Sequence, residues 1–377
     1  MRLGIVTHNF PAGKHDRQNA GIFVYDLACA VKKLGNEVFV LCPEVGIKKE
    51  ENEIPVTWFP WAGSSRKMGS LNMLNPKDLL LFLNMAYSGI RVTNEFVKRN
   101  NIDFMVGMWS FPAGIFTFWG FLTKKIPYTL WSLGSDIHVY AKYPLIGPFM
   151  KLILRRARFL LADGLTLARE VEAFAGKGCQ YIASATNFPA LNKNIKKTGS
   201  LKFIFLGRME PVKGPDIMIK AALSLVDCDF EMHCIGEGSL LPILKKQVKD
   251  AHLDKKIIFH GNPNDKNKIY SMLISADWLI MPSRNDTIPL SFSEGMKAGI
   301  PVIAAQIGDI PYFMRKYHVG LSFAYEDSEK LTELMRIVIK RGRNETQKYQ
   351  SEIKRLADFF DINFSAKQLV DEVEKHI

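Results

Sequence analysis

Two acidic side chains eight positions apart, Asp286 and Glu294, are the residues of this sequence best placed to bind a hydroxylated ligand. The stretch 281–304 reads MPSRNDTIPLSFSEGMKAGIPVIA and predicts a helix over about 289–297, ended by Gly299. Eight residues make a little over two helical turns, so both carboxylates can reach one cleft. Alternatively, Asp286 caps the helix and Glu294 lies on the surface. Open backbone groups are predicted to bind hydroxyls or a phosphate oxygen at Thr287, Ile288, Pro289 and Leu290.

Two cations form the second candidate group, Arg208 and Lys213 in the stretch FIFLGRMEPVKGPD. They follow a predicted strand that ends at Gly207. Arginine binds two oxygens at once and lysine acts as a point charge, so the pair suits a diphosphate. Each charge-assisted hydrogen bond to the diphosphate would contribute about 1.5–3 kcal/mol to the binding free energy. The alternative is a pair of solvated loop cations.

Glycines mark two further turns. Gly236-Glu237-Gly238 follows a predicted strand but lacks the third glycine of a dinucleotide fingerprint. Gly21 precedes the first predicted helix, where the lack of a side chain would let a phosphate approach the helix N-terminus. A simple turn explains Gly21 equally well.

The elements that position these residues alternate between strand and helix. In the first half a strand over 3–7, a helix over 23–34 ended by Gly35 and a strand over 37–42 form the unit of a parallel, doubly wound sheet. Further strands are predicted over 56–59, 104–107, 128–133 and 159–161.

The polar, basic segment 189–200 predicts a linker, after which the strand and helix pattern restarts. We therefore predict an N-terminal domain over 1–188, a C-terminal domain over 201–360, and a final segment, 361–377, whose helix crosses back to the first domain. The fold class is α/β, with two Rossmann-like sheets facing each other across a cleft. Ligands of such sheets lie beyond the carboxyl ends of the strands.

Composition is typical of a globular protein, with 47% hydrophobic and 23% charged residues among 377. The five cysteines are scattered without a CxxC pair, which predicts neither a disulfide framework nor a zinc site and favours a cytoplasmic protein. The N-terminal residues read as a strand and not as a signal peptide. The uncharged stretch 104–123 reaches membrane-spanning length, but its glycines and Pro112 favour a strand, a turn and a buried helix.

Charge is uneven along the chain, because residues 1–200 carry +11 of the net +12. This predicts an anionic partner for the first half, such as membrane headgroups, a phosphate-bearing lipid or nucleic acid. The run 144–161, PLIGPFMKLILRRARFLL, is compatible with a basic amphipathic helix on the inner face of an anionic membrane, or with an ordinary domain helix. The sequence has no recognition-helix or RNA-binding motif, so we expect no nucleic-acid partner.

Together these stretches resemble the retaining glycosyltransferases of the GT-B fold, the large family with a Glu-x7-Glu motif that includes sucrose synthases and bacterial mannosyltransferases. The resemblance covers nearly the whole chain and is firmest over 203–313. It implies that Glu294 binds the ribose of a nucleotide sugar and Asp286 binds the transferred sugar. It also implies that Arg208 and Lys213 neutralise the leaving diphosphate. By the same resemblance, the N-terminal domain binds the acceptor and the C-terminal domain binds the nucleotide sugar. Residues implied near the diphosphate or the base are Gly21, Gly207, Gly236, Gly261 and Asn262.

Two departures from the family pattern bear on the donor. The first acid is Asp286 and not Glu, so its reach is one methylene shorter. In addition, Leu133 stands where the family often has His before Gly-Ser-Asp, a His that commonly binds the donor's 6-hydroxyl. The sequence therefore predicts a donor without that hydroxyl, unless His138 substitutes or catalysis is lost. The neighbouring residues expected to line the sugar or acceptor cleft are Gly134, Ser135, Asp136 and His138.

The resemblance also implies a reaction without a protein nucleophile, in which the leaving diphosphate takes the acceptor's proton. We expect neither a metal nor a resident cofactor, because the resemblance assigns the neutralisation of the phosphates to Arg208 and Lys213. The expected partners are a nucleotide-sugar donor and a glycan or lipid-linked acceptor, with a role in polysaccharide or glycolipid synthesis. The alternatives are a nucleotide-sugar epimerase and a non-catalytic protein that binds nucleotide sugars or nucleic acid.

Overall fold

The computed structural model describes residues 1–13, 21–46, 53–66, 71–188, 197–263 and 265–377. It divides the chain into two compact units, one of Met1–Ser184 with Ile362–Ile377 and one of Ala185–Asp361. Residues 189–196 of the predicted linker lie outside the described part. The linker's last residues are fixed to the second unit, because Arg343 donates hydrogen bonds to the carbonyl oxygens of Thr198, Gly199 and Ser200. The boundary between the units lies between Ser184 and Ala185, a few residues before the predicted domain end at residue 188.

The first unit is built on a parallel sheet. Its strands are β1 (Arg2–Val6), β2 (Glu37–Pro43), β3 (Val56–Phe59), β4 (Phe104–Met108), β5 (Tyr128–Ser132), β6 (Leu160–Ala162) and β7 (Cys179–Tyr181). Their spatial order is β3-β2-β1-β4-β5-β6-β7. The order reverses between β1 and β4, which makes this the topological switch point of the sheet.

Between these strands, the described residues form a series of α-helices. They are α1 (Ile22–Lys33), α2 (Pro76–Asn100), α3 (Ser110–Lys124), α4 (Ser135–His138), α5 (Ile146–Arg156) and α6 (Leu165–Ala175). Helix α1 buries Phe23, Leu27 and Val31, a spacing that places them on one face. Strand β1 buries Leu3, Ile5 and Val6 almost completely, as expected of a parallel strand covered on both faces.

The uncharged stretch 104–123 forms strand β4 and most of helix α3, as predicted. The sequence places the helix start at residue 113, whereas α3 begins at Ser110, with Phe111 in an extended conformation inside it. In the described part of the chain, no helix has the length and apolar character needed to cross a membrane. The run 144–161 does not form a single helix, because α5 ends at Arg156 and Leu160 and Leu161 belong to buried strand β6.

The second unit repeats the plan of the first. Its strands are β8 (Leu201–Leu206), β9 (Phe230–Ile235), β10 (Ile257–Phe259), β11 (Trp278–Met281), β12 (Val302–Ala305) and β13 (Gly320–Phe323), in the spatial order β10-β9-β8-β11-β12-β13. Its helices are α7 (Pro215–Leu223), α8 (Leu241–Asp250), α9 (Lys266–Ser275), α10 (Leu290–Ala298), α11 (Ile310–Tyr317), α12 (Ser328–Arg341), α13 (Asn344–Gln347) and α14 (Gln350–Phe359). The predicted α/β class with two Rossmann-like sheets is confirmed.

The chain then returns to the first unit as α15 (Ile362–Glu374), which packs against α1. Ser365 in this helix donates a hydrogen bond to the carbonyl oxygen of Ala183 at 2.8 Å, and Leu369 and Val373 are buried. The structure thus assigns the C-terminal helix to the first unit.

Candidate active site

Lys213 and Asp286, two of the predicted site residues, form an ion pair in the second unit. Lys213 ends a short 3-10 helix after β8, and Asp286 lies in the loop after β11, the strand next to β8. The Lys213 Nζ donates to both carboxylate oxygens of Asp286, at 2.7 and 2.8 Å, and both side chains are only about one-fifth exposed. Two residues singled out from distant parts of the sequence therefore meet at the carboxyl ends of adjacent strands.

The helix-cap alternative for Asp286 is wrong. Helix α10 begins at Leu290, and Pro289 occupies its cap position without a side-chain hydrogen bond. The prediction of a loop with open N–H groups also needs a correction, because Pro289 has none. Among the described residues, the backbone N–H groups of Thr287, Ile288 and Leu290 donate no hydrogen bond. These three donors remain suited to an anionic or hydroxylated ligand.

Arg284 joins the two loops that carry this pair. Its guanidinium donates to both carboxylate oxygens of Asp216 at 2.8 and 2.7 Å, to Glu326 at 2.6 Å and to the carbonyl of Pro211 at 2.7 Å. Its backbone N–H donates to the carbonyl of Val212 at 2.8 Å. Arg284 holds the pKa of Asp216 below its usual value. Sequence reasoning missed Arg284, because its partners lie far from it along the chain.

Glu294 lies on α10 and is held by two hydroxyl groups. Thr186 and Tyr270 each donate to its Oε1 atom, at 3.1 Å, and both donors are buried. The Tyr270 ring packs at 4.2 Å from the ring of Phe188. The surface alternative for Glu294 is therefore wrong. Thr186 and Tyr270 were missed, because nothing in their local sequence marks them as partners of a residue far along the chain.

Three predicted glycines come together where β8, β9 and β10 end. The N–H of Gly236 donates to the carbonyl of Gly261 at 2.7 Å, and a Cβ on Gly236 would lie 1.9 Å from the carbonyl oxygen of Gly207. A Cβ on Gly207 would in turn lie 4.0 Å from the Lys213 side chain. Glycine at these three positions lets the backbone segments pack closely against one another, and they lie beside the Lys213–Asp286 pair. Asn262 follows on the same loop and is half-buried.

Arg208 lies in the same loop as Lys213 but is exposed. Hydrogen bonds from Ser239 hold the pKa of Glu210 below its usual value, and the charge of Arg208 adds to this effect. Within the described residues, Lys213 alone of the two predicted cations pairs with a predicted acid. In the same part of the chain, no group of three or more His, Cys, Asp and Glu side chains is placed to hold a metal ion.

In the first unit, the predicted cleft residue Asp136 has structural contacts. Asp136 is fully buried and accepts hydrogen bonds from the N–H groups of Ser110, Leu133 and Ile137. Burial raises the pKa of its carboxyl, while these N–H groups oppose that effect. Asp136 therefore ties the loop after β5 to the start of α3 and offers no exposed oxygen to a ligand.

The neighbours of Asp136 differ in exposure and contacts. Gly134 has φ of 103°, a conformation that favours glycine, and Ser135 is exposed. The His138 Nε2 lies 2.6 Å from a carboxylate oxygen of Glu170. Gly21 packs on a neighbouring loop, since a Cβ there would lie 2.2 Å from the carbonyl oxygen of Asn9.

Residues 188–356 match the family model described as Glycosyl transferases group 1. Over this part, the chain is similar to the group 1 glycosyl transferases. This match includes the Lys213–Asp286 pair, Arg284 and Glu294, and it confirms the resemblance stated from the sequence.

A curated relative of the chain is the D-inositol 3-phosphate glycosyltransferase of Corynebacterium glutamicum, which is 28% identical over 125 residues. The alignment covers 31% of the chain and 30% of that protein. The matched part thus spans about a third of the length of this relative.

Solved structures resemble the chain over its whole length. The sucrose-phosphate synthase of Thermosynechococcus elongatus has a TM-score of 0.75 and 13% identity, covering 100% of this chain and 98% of that one. HepE of Anabaena, solved in complex with UDP, has a TM-score of 0.70 and 15% identity, with full coverage of both chains. These likenesses show that the chain has the GT-B fold.

Proposed function

We propose that this protein transfers a glycosyl group from a nucleoside diphosphate sugar to a hydroxyl of a glycan or lipid-linked acceptor, with retention of configuration. The observation that carries the proposal is the Lys213–Asp286 pair at the carboxyl ends of β8 and β11. A half-buried cation at this position suits the diphosphate, and the carboxylate beside it suits the hydroxyls of the transferred sugar. Glu294, oriented by Thr186 and Tyr270, suits the ribose hydroxyls.

In the proposed reaction the acceptor oxygen forms a bond to the anomeric carbon while the bond from that carbon to the diphosphate breaks. The acceptor's proton passes to the leaving diphosphate on the same face of the sugar. The protein supplies position and positive charge, through Lys213 and Arg208, and no protein group is bonded to the sugar. Because HepE was solved with UDP, uridine diphosphate sugars are the first donors to test.

The test uses a panel of UDP-, GDP- and ADP-sugars scored for donor hydrolysis and transfer. We expect Lys213→Gln and Asp286→Asn each to lower turnover about 100-fold, the usual effect of removing one electrostatic group from an active site. Lys220→Gln, on the exposed side of α7, is the matched control and should retain activity. Equal turnover in Lys213→Gln and wild type would refute the assigned role. Recovery of an isomerised nucleotide sugar, without free nucleoside diphosphate, would favour the epimerase alternative.

We further propose that the donor lacks a 6-hydroxyl. Leu133 is half-buried and its aliphatic side chain cannot hydrogen-bond such a hydroxyl, and His138, the suggested substitute, already pairs with Glu170. Comparing UDP-xylose and UDP-6-deoxyglucose with UDP-glucose tests this. A clear preference for UDP-glucose would contradict it.

A peripheral contact with an anionic membrane is also proposed. Helix α5 packs Met150, Ile153 and Leu154 into the first unit, so its main apolar face is already used. The exposed side combines two apolar residues, Leu145 at 89% and Leu152 at 44%, with basic residues. This mixture suits a surface that touches anionic headgroups without inserting a whole helix.

A further inference from the structure

His233 and His260 form a hydrogen-bonded pair on one face of the second unit's sheet. In the register of β9 and β10, His233 lies opposite Ile258, and His260 follows two residues later, directly after β10. Side chains two positions apart along a strand point to the same face of the sheet. The Nδ1 atom of His233 lies 2.9 Å from the Nε2 atom of His260.

The orientation of the two imidazole rings is that of a direct hydrogen bond. Their planes are inclined by only 10°, and their centroids are 5.2 Å apart. The two facing nitrogens are much closer together than the centroids, so they lie between the ring centres. One facing nitrogen must carry a proton and the other must accept it.

Glu231 orients the pair from the same strand as His233. Its Oε2 atom lies 3.3 Å from the Nε2 atom of His233, on the side of the ring away from His260. Lys202, which is opposite Glu231 in the register of β8 and β9, lies 3.5 Å from the same oxygen. An ionised carboxylate only accepts hydrogen bonds, so the Nε2 atom of a neutral His233 carries the proton. The Nδ1 atom of His233 then accepts from His260.

His260 begins the loop that borders the candidate site after β10. The N–H of His260 donates to the carbonyl of Cys234 at 2.9 Å, and the next residue, Gly261, accepts from the N–H of Gly236 at 2.7 Å. Gly236 in turn packs on Gly207, beside the Lys213–Asp286 pair. Strand β10 has three residues and lies at the edge of the sheet, where it pairs with β9. The histidine contact therefore adds a side-chain link at the end of a short edge strand.

The pair accommodates one added proton but not two. With one, a donor nitrogen still faces an acceptor; with two, both facing nitrogens carry hydrogen and the positive rings repel each other. Within the described residues, the charged groups that act on the pair are Lys202 on β8, Glu231 on β9 and Lys268 on α9. Burial and the charges of His233 and Lys268 lower the pKa of His260 below its ordinary value of about 6.5. The contact is therefore complete above about pH 6.5 and is lost as acid charges both rings.

We propose that His233 and Glu231 are positioning residues, which act through His260 to hold the loop after β10 in the conformation that binds the nucleotide, and that protonation of both imidazoles in mild acid releases this loop. The inference rests on the proposed transferase function, because that function places a nucleotide at this edge of the sheet. Nucleotide affinity is then full near neutral pH and falls in mild acid, because only the fraction of molecules with the loop in place binds well.

The experiment measures amide hydrogen exchange in the peptide 257–262 without ligand, and the dissociation constant of UDP, each at pH 7.5 and pH 5.0. The variant is His233→Gln, because glutamine carries no charge and its side-chain oxygen still accepts from His260. At pH 5.0 we expect this peptide to exchange about tenfold faster in wild type than in the variant, and equally fast at pH 7.5. At pH 5.0 the wild type should also bind UDP about fivefold more weakly than the variant does. Comparing two proteins at one pH cancels the effect of acid on exchange chemistry and on UDP itself.

The matched control is His252→Gln, which removes an exposed histidine after α8 and should behave as wild type at both pH values. His233→Leu, which cannot accept a hydrogen bond, should exchange rapidly over 257–262 at both. Thermal unfolding identifies a variant that fails to fold, and His260→Gln, which removes the same pair of charges, then takes the place of His233→Gln.

The inference is overturned if wild type and His233→Gln exchange equally over 257–262 at pH 5.0, or if acid weakens UDP binding by the same factor in both. A failure of the proposed function is seen separately, as wild type that binds neither UDP, GDP nor ADP at pH 7.5. Hydrogen exchange needs no nucleotide, so it still decides in that case whether the histidine pair holds the loop.

Discussion

At the scale of single residues, the site depends on close backbone approaches that only glycine permits. Gly236 has φ of 136°, and its Cα faces the carbonyl oxygen of Gly207 at a distance that leaves no room for a methyl group. Gly308 is similarly placed, since a Cβ there would lie 2.2 Å from the carbonyl oxygen of Asp286. These contacts fix the loops from which Lys213 and Asp286 project.

Gly236→Ala should therefore destabilise the protein by about 3 kcal/mol, through a steric clash added to an unfavourable φ. Gly342→Ala is the matched control, because Gly342 has φ of 66° and a methyl group added there would meet no described atom within 4 Å. We expect Gly342→Ala to lower the free energy of unfolding by only about 1 kcal/mol. Equilibrium urea unfolding measures both free energies of unfolding. Equal losses would show that the contact with Gly207 is unimportant.

At the scale of elements, Arg284 holds the loop after β8 and the loop after β11 together through hydrogen bonds. The guanidinium binds Asp216 at the start of α7, Glu326 after β13 and the carbonyl of Pro211. Planar, bidentate contacts of this kind are specific to arginine. Arg284 thereby sets the position of Lys213 relative to Asp286 without belonging to that pair.

The Arg284–Asp216 contact gives a prediction about pH. Because Arg284 lowers the pKa of Asp216 in the folded state, the contact stabilises the protein above the unfolded pKa of about 3.9 and is lost as the pH falls through the folded value. At neutral pH, the Asp216→Asn variant should therefore unfold at a lower temperature than wild type. The difference should shrink in acid.

Asp250→Asn, at the exposed end of α8, is the control for removing a surface carboxylate and should unfold as wild type does. A difference between Asp216→Asn and wild type that persists unchanged at the lowest pH would contradict the role given to the ionised carboxylate.

At the scale of the whole molecule, charge is concentrated in one part of the chain. Residues 1–200 hold +11 of the net +12, and the apolar side chains of Leu145, just before α5, and Leu152, on α5, are exposed in the same part of the chain. Each cation near an anionic bilayer contributes about 1 kcal/mol to the free energy of membrane binding. At ordinary salt concentrations, this attraction decays over about 8–10 Å.

We expect the protein to sediment with anionic vesicles at low salt, and to be released at high salt. It should not sediment with neutral vesicles. The double variant Lys142→Gln with Arg156→Gln should bind more weakly, because both residues are exposed in the segment around α5. The double variant Lys245→Gln with Lys249→Gln, on α8 of the second unit, is the matched control. Equal partition onto anionic and neutral vesicles would rule out the electrostatic contact.

The sequence by itself determined the order of strands and helices and the motifs of the second unit. Apolar periodicity, prolines and glycines act over a few residues, so the strand–loop–helix around Gly207 and Lys213, and the helix ended by Gly299, could be predicted from the chain alone. Short strands with little burial, such as β7 and β13, were not predicted, because three or four partly exposed residues leave no periodic pattern.

Only the tertiary structure decided which side chains meet. Lys213 reaches Asp286, Arg284 reaches Asp216, and Glu294 accepts hydrogen bonds from Thr186 and Tyr270, all across wide gaps in the sequence. These contacts depend on the order in which the strands pair, since a parallel sheet brings together the carboxyl ends of strands that are remote along the chain. For the same reason the burial of Asp136 and the contact of His233 with His260 became visible only in the folded protein.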